Sequence, residues 1–204
     1  MKLQEALLEL RKNEKRKFDQ TVEIIVNLKG VDLKREAINA VINIPHKIKD
    51  KKVFGFLNNK SDLVKSISKL DFPKYSDKKL LKRLVKEYDF FIASAPLMPS
   101  VATTFGKVLG PAGKMPSPQL GVLMQENDNV IKELVEKIST SIKIRAKEAS
   151  IKVPVGKESM KDDEILANAL AVYKGIENAL PTKRDNVRNV LIKLTMSKPV
   201  KVEM

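Results

Sequence analysis

"YDFFIASAPLM", residues 88–98, is a run of apolar residues whose only charge, Asp89, lies near its start. It is far short of the roughly 20 residues a membrane span needs, and it suits a strand covered on both faces. Such strands belong to parallel sheets packed between helices. Its neighbours agree. "KVFGFL" (52–57) reads as a short buried strand and "GVLMQ" (121–125) as a last one. Ser61 can cap a helix over Leu63, Val64, Ile67 and Leu70, and Asp77 begins another with Leu80, Leu81, Leu84 and Val85 on one face. A helix near 100–108 follows the apolar strand, and Val130–Ile138 supplies the last. Strands alternating with helices predict a three-layer α/β unit with a parallel, Rossmann-like sheet.

Outward from this centre the style changes. Leu3, Leu7 and Leu10 recur at helical spacing before a charged stretch, and "TVEIIVNL" (21–28) is rich in β-branched residues. "AINAVINIP" (37–45) is another strand candidate, closed by Pro45. Beyond the centre, "SIKIRAK" (141–147) and "SIKVPV" (150–155) read as a hairpin. Ser159 with Asp162 resembles a capping box. Ile165, Leu166, Ala169, Leu170, Tyr173 and Ile176 form an amphipathic stripe ending before Pro181, and "NVLIKLTM" (189–196) is a long final strand with "VKVEM" (200–204) trailing. The expected organisation is a split α+β domain, an antiparallel sheet with helices, from residues 1–47 and 139–204. An α/β domain is inserted at 48–138, and the two crossing connections suit a hinge.

The chain of 204 residues is 43% hydrophobic and 31% charged, with a net charge of +14. That composition describes a globular protein, and the basic excess, spread over both domains, implies an anionic partner, above all nucleic acid. The absence of cysteine excludes disulfides, thiolate metal sites and cysteine nucleophiles together. The N-terminal stretch has acidic residues in its apolar part, unlike a signal peptide. A membrane-surface role would require a strong basic amphipathic helix, and none stands out.

"GKVLGPAGKMPSP" (106–118) invites comparison with a phosphate cradle. A P-loop needs Gly, four residues, then Gly-Lys-Ser/Thr. Counting back from Gly113-Lys114 puts Val108 at the first glycine and Met115 at the hydroxyl, and Pro111, Pro116 and Pro118 lack N–H donors. A rigid turn system fits better, with phosphate contact through Lys107 and Lys114 as the alternative. His46, the only histidine, suits a hydrogen-bonded structural residue better than a base, since no partner is identifiable. Asp162, Asp163 and Glu164 complement a helix N-terminus rather than forming a metal site. No catalytic residue, metal or cofactor is expected.

The terminal domain carries the better candidates. Lys15, Arg16 and Lys17 stand beside Phe18 at the start of a strand, a cation-plus-aromatic pattern suited to phosphate and ribose or base. Alternation puts Lys143, Arg145 and Lys147 on one strand face, with Lys152 and Lys157 following. Singly, each is also explained as a solvated strand face, and Phe18 as a core residue. Together with the net charge they favour RNA.

"VLGPAGKMPSP" resembles the LGP-x-G-x-MP-x-P loop of the ribosomal protein L-one family, the universal large-subunit proteins of the mobile stalk. "YDFFIASAPLMP" is similar to the strand before that loop in archaeal and eukaryotic members. "KFDQTVEIIVNLKG", "IKVPVGKESM" and "KLTMS" match the family's terminal-domain segments in order. The resemblance covers essentially the whole chain. It implies a non-enzymatic cytoplasmic protein of the ribosome, monomeric off it, that binds stalk rRNA through the split domain. It also implies movement with exit-site tRNA, contact with other ribosomal components and, in many members, repression of its own mRNA. Position by position it implies RNA contacts at Lys17, Phe18, Thr21 and Glu23, then Arg145 and Lys157, then Thr195 and Met196, with Ser197 at the place of a glycine. Arg16, Lys143, Lys147, Asn189 and Lys198 are expected as secondary contacts. Gly110, Pro111, Gly113, Lys114, Met115 and Pro116 form the family loop, mainly structural. The family's loop arginine is Ala112 here, and the glycine after Pro-His is Lys47. Were glycine needed for close approach to RNA, Ser197→Gly would bind as well or better. The rival expectation is a nucleotide-using enzyme on the central domain.

Overall fold

The structure, a computed structural model, describes residues 1–12, 16–31, 38–59, 61, 63–75, 77–146 and 148–203. In chain order its elements are α1 (Leu3–Arg11), β1 (Thr21–Leu28), β2 (Asn39–Asn43), β3 (Val53–Phe56), β4 (Lys65–Ile67), α2 (Lys78–Glu87), β5 (Phe90–Ser94), α3 (Met98–Ala112), β6 (Val122–Leu123), α4 (Asp128–Ser139), β7 (Ser141–Arg145), β8 (Ser150–Lys157), α5 (Asp162–Ala179), β9 (Val187–Leu194) and β10 (Val200–Val202). Short 3-10 turns occupy Lys69–Tyr75, Ala95–Leu97 and Lys183–Asn186. They form two compact units, Met1–Ile48 with Thr140–Met204, and Lys49–Ser139.

In the first unit β1 lies inside an antiparallel sheet of order β10-β9-β1-β8. The period of two turns Val22, Ile24, Val26 and Leu28 to the core, against Leu3, Ala6, Leu7 and Leu10 of α1 and Ile165, Ala169, Val172 and Ile176 of α5. Each fully buried aliphatic side chain is worth about 1.5–3 kcal/mol, so this face fixes the register. Thr21, Glu23, Ile25 and Asn27 therefore point to the other, partly exposed face. The expected hairpin of 141–155 does not form. β7 pairs with β2 and β8 pairs with β1, so two adjacent strands enter different sheets. Two glycines admit α5 closely. A Cβ on Gly175 would stand 2.5 Å from Ile42 Cδ1, and one on Gly156 would stand 2.8 Å from Ile165 Cγ1.

The second unit is a parallel sheet of order β4-β3-β5-β6. Phe54, Phe56 and Phe91 meet Phe72, Tyr88 and Phe105 in one aromatic cluster, with ring centroids as close as 4.8 Å. Asp77 caps α2 as expected, accepting from Lys79 N–H at 2.9 Å. The helix expected over 63–70 is absent: Lys65–Ile67 is β4, the edge strand paired parallel with β3. Leu63 and Leu70 are exposed, so their spacing marked no buried stripe. "GVLMQ" contributes only Val122–Leu123 to the sheet. The helix expected near 100–108 runs on to Ala112, which takes half of the supposed glycine-proline loop into α3. Pro111 is tolerated near the helix end. Gly113, at φ 70°, supplies the left-handed stop, and Lys114 N–H closes it on Leu109 O at 3.0 Å.

Glycine-to-alanine changes on two helices should therefore diverge. Gly175→Ala should destabilise the first unit by about 1–3 kcal/mol through overpacking against Ile42. Gly106→Ala in α3, where an added Cβ meets nothing within 4 Å, should be neutral or stabilise by up to about 1 kcal/mol. Urea unfolding followed by circular dichroism checks both.

Candidate nucleic-acid interface

β1 and β9 are antiparallel partners, so the start of one lies against the end of the other. Thr21 N–H donates to Thr195 Oγ1 at 3.0 Å, and Thr195 N–H donates to Thr21 O at 3.1 Å. Gln20 occupies the inward register of the strand and is 2% exposed. Its Oε1 accepts from Met196 N–H at 3.2 Å and its Nε2 donates to Glu158 Oε2 at 3.2 Å. One buried amide thus ties three chain segments. From the segments it joins, Phe18 is presented 51% exposed and Met196 64% exposed. That exposure removes the core reading of Phe18: five of the other phenylalanines build the second unit's core.

The loop after β8 is fixed from two sides. Asp19 accepts from Ser159 N–H at 3.0 Å and from Ser159 Oγ at 2.9 Å, and lies 3.5 Å from Lys157 Nζ. Burial pushes the Asp19 carboxyl up, but the Ser159 hydrogen bonds and the Lys157 ammonium together outweigh it and hold the group below its ordinary range. Arg11, at the end of α1, donates to Asp162 Oδ1 at 2.6 Å, Met160 O at 2.8 Å and Glu158 O at 3.2 Å. Ser159 is thus a partner of Asp19, not the cap of α5, whose Lys161 N–H meets Glu164 Oε2 instead.

Among the expected contact residues, Lys17, Phe18, Thr21, Lys157, Thr195, Met196 and Ser197 belong to this knot or its rim, with Arg16 and Lys198 exposed beside it. Glu23 follows Thr21 on the open face, in register with Lys193 and Pro154. Asn189 also faces that side and accepts from Asn27 Nδ2 at 2.6 Å. Lys143 and Arg145 are exposed on β7, in the separate two-stranded sheet with β2. There burial, and then the Arg145 charge, lower the Lys143 ammonium below its ordinary range, a pairing of cations that an anion would relieve. Lys15 and Lys147 lie outside the described residues. Asp19, Gln20 and Arg11 were missed. Gln20 carried a signal, because a polar side chain in the buried register of a strand needs partners.

Thr195 and Met196 sit in the turn after β9 rather than in the strand. Ser197 N–H closes that turn on Leu194 O at 3.1 Å, and Ser197 Oγ accepts from Leu194 N–H at 2.8 Å. Among the described residues the positive-φ ones are Gly30, Gly113 and Lys183, so Ser197 needs none of glycine's freedom. Ser197 is a working part of the turn: its hydroxyl accepts a Leu194 N–H to which glycine would offer no side-chain acceptor.

The remaining motifs are structural in their contacts. Lys114 Nζ donates to Val85 O and Tyr88 O, both at 2.7 Å, securing the end of α2. His46 is clamped through its backbone by buried Asn168, which accepts from His46 N–H and donates to His46 O, each at 2.9 Å. At the carboxyl ends of β3, β5 and β6, where open α/β sheets bind ligands, Glu126 already takes up the backbone donors: Asn58 N–H at 3.0 Å and Asn59 N–H at 3.0 Å. Burial pushes its carboxyl up, yet hydrogen bonds from Ser94, Asn58 and Asn59 outweigh this and hold it low. A phosphate would have to displace an ionised side chain there.

Comparison with known proteins supplies the class. Residues 10–198 match the model of the ribosomal protein L1p/L10e family. Similar relatives include the large ribosomal subunit protein uL1 of Pyrobaculum calidifontis, 35% identical over 95% of this chain and 89% of its own. Those of Archaeoglobus fulgidus, at 34% over 98% and 97%, and Thermococcus kodakarensis, at 35% over 99% and 97%, agree. The chain belongs to the ribosomal protein L1p/L10e family. It is accordingly a ribosomal protein and not an enzyme.

Two expectations follow from the knot. Ser197→Gly should lower stability by about 1 kcal/mol, as a strand-end N–H loses its acceptor, read as a shift of the urea midpoint. Asp19 contributes stability above its ordinary value of 3.8, lost as pH falls through the lower folded value. The midpoint gap between wild type and Asp19→Asn should therefore be present at neutral pH and close progressively below that value.

Proposed function

We propose that this protein is a structural component of the large ribosomal subunit that binds large-subunit rRNA through the first unit, in the cytoplasm. One observation carries the reading: hydrogen bonds between Thr21 and Thr195, 174 positions apart, gather Lys17, Phe18, Met196 and Lys157 at one edge of an otherwise well-packed sheet. Exposed apolar side chains flanked by lysines suit folded RNA, the ring and thioether packing on ribose or base and the ammonium groups meeting phosphates. Lys157 arrives pre-oriented by Asp19. Glu23 and Thr21 offer acceptors for 2′-hydroxyls, which distinguish RNA from DNA. Arg145 and Lys143, on the other sheet, add phosphate contacts.

The finer roles rest on the family resemblance: release of exit-site tRNA, contact with other ribosomal components, and repression of the protein's own mRNA by the same surface. The free protein acts as a monomer.

Filter binding to large-subunit rRNA tests the reading. Phe18→Ala and Thr195→Ala/Met196→Ala should each weaken binding about tenfold, in line with roughly 1–3 kcal/mol for a packed base. Lys17→Ala should reduce the salt slope by about 1. Lys114→Ala, whose ammonium is held by helix carbonyls, should bind like wild type. Unspecific binding, unchanged by Phe18→Ala and the Thr195/Met196 double variant at moderate salt, would overturn the proposal.

A further inference from the structure

Beside the knot lies a groove of about 520 Å³ between the end of α1, the approach to β1 and the β9–β10 turn. Its volume falls within the roughly 300–1,000 Å³ of small-molecule sites. Its lining combines three chemistries. Val200 and the largely exposed Met196 give apolar surface, Arg16 and Lys198 give two cations, and Glu9 gives a carboxylate. Among the described residues none of these three charged side chains has an ion-pair partner, in contrast to Arg11 and Lys157 next to them. Leu10 is fixed by the core and Ser197 by its own turn, so the groove is held open by packed elements.

We propose that this groove takes up one unstacked nucleotide of the bound RNA and prefers guanine; the inference rests on the RNA-binding reading above. Two cations without carboxylate partners suit a phosphate, and the apolar wall suits the face of a base, which every base possesses. Glu9 decides the edge. An ionised carboxylate only accepts hydrogen bonds, so the base edge that meets it must donate. Guanine presents N1–H and the N2 amino group side by side, matching two carboxylate oxygens. Adenine and cytosine offer one amino group beside an acceptor, and uracil offers one N–H between two carbonyls. The expected order is guanine first and uracil last. An RNA read in this way would place an unpaired guanosine next to the surface packed on Phe18 and Met196.

The test uses the full chain labelled at the methionine methyl carbons and titrated with the four ribonucleoside 5′-monophosphates. The Met196 methyl signal should shift with GMP at about fivefold lower concentration than with UMP, the scale of one good bidentate base contact. Glu9→Gln, which adds a donor to the edge, should bring that ratio below about twofold, and Arg16→Ala/Lys198→Ala should weaken all four nucleotides together. An unmoved Met196 signal, or a preference unaffected by Glu9→Gln, overturns the proposal. The same preparations are run against large-subunit rRNA. RNA binding with a silent groove overturns the groove alone, whereas no RNA binding overturns the parent reading and the groove with it.

Discussion

The first unit depends on β1 being paired on both edges. Its neighbours β8 and β9 both come from the far side of the inserted unit, and β1 is antiparallel to each. Residues 21–28 thus close a loop of well over 100 residues, and the closure entropy grows only slowly with that length. The inward residues of β1 offset that cost by burial under α1 and α5. The knot proposed for RNA is a by-product of this pairing. Where β1 starts, β9 must end and β8 must end too, so three chain termini of strands converge.

What converges there is then locked by polar groups. Among the described residues Gln20 is the side chain that reaches both other segments, and Arg11 ties the loop after β8 to α1 and α5. A rigid knot matters for a shape reader. Side chains that must match a folded RNA gain affinity when they are ordered beforehand, because less freedom is lost on binding. The cations differ in this respect: Lys157 is steered by Asp19, while Arg16 and Lys198 have no ion-pair partner among the described residues beside the groove. The second unit has put its polar resources inward. Glu126 takes up the Asn58 and Asn59 N–H donors at the sheet's carboxyl end, and Lys114 takes up carbonyls at the end of α2.

Much of this was legible in the residues. β1 is legible with its observed limits because residues 21–28 are rich in β-branched side chains, which favour a strand. α2 was read because Asp77 caps a clear apolar stripe. The misreadings share a cause. Short apolar runs such as 63–70 do not distinguish an edge strand from a helix, and glycine with proline in 106–118 reads as a loop although a helix carries both as far as Ala112. The hairpin at 141–155 failed because proximity along the chain says nothing about which sheet each strand joins. In the site, Phe18 and Lys17 were legible from composition at a strand start. Asp19 and Arg11 were not, since their partners lie 138 or more positions away.

The sequence by itself determined the charge that demands an anionic partner, the family motifs and the strand or helix character of the longer periodic segments. Those are local properties, set by side-chain period and backbone preference. Only the tertiary structure decided which strands became neighbours, and with that which cations remain unpaired among the described residues, that Ser197 closes the turn after β9, and that Thr21 meets Thr195. These are pairings between distant segments, settled by which arrangement buries the most apolar surface while leaving no inward polar group without a partner.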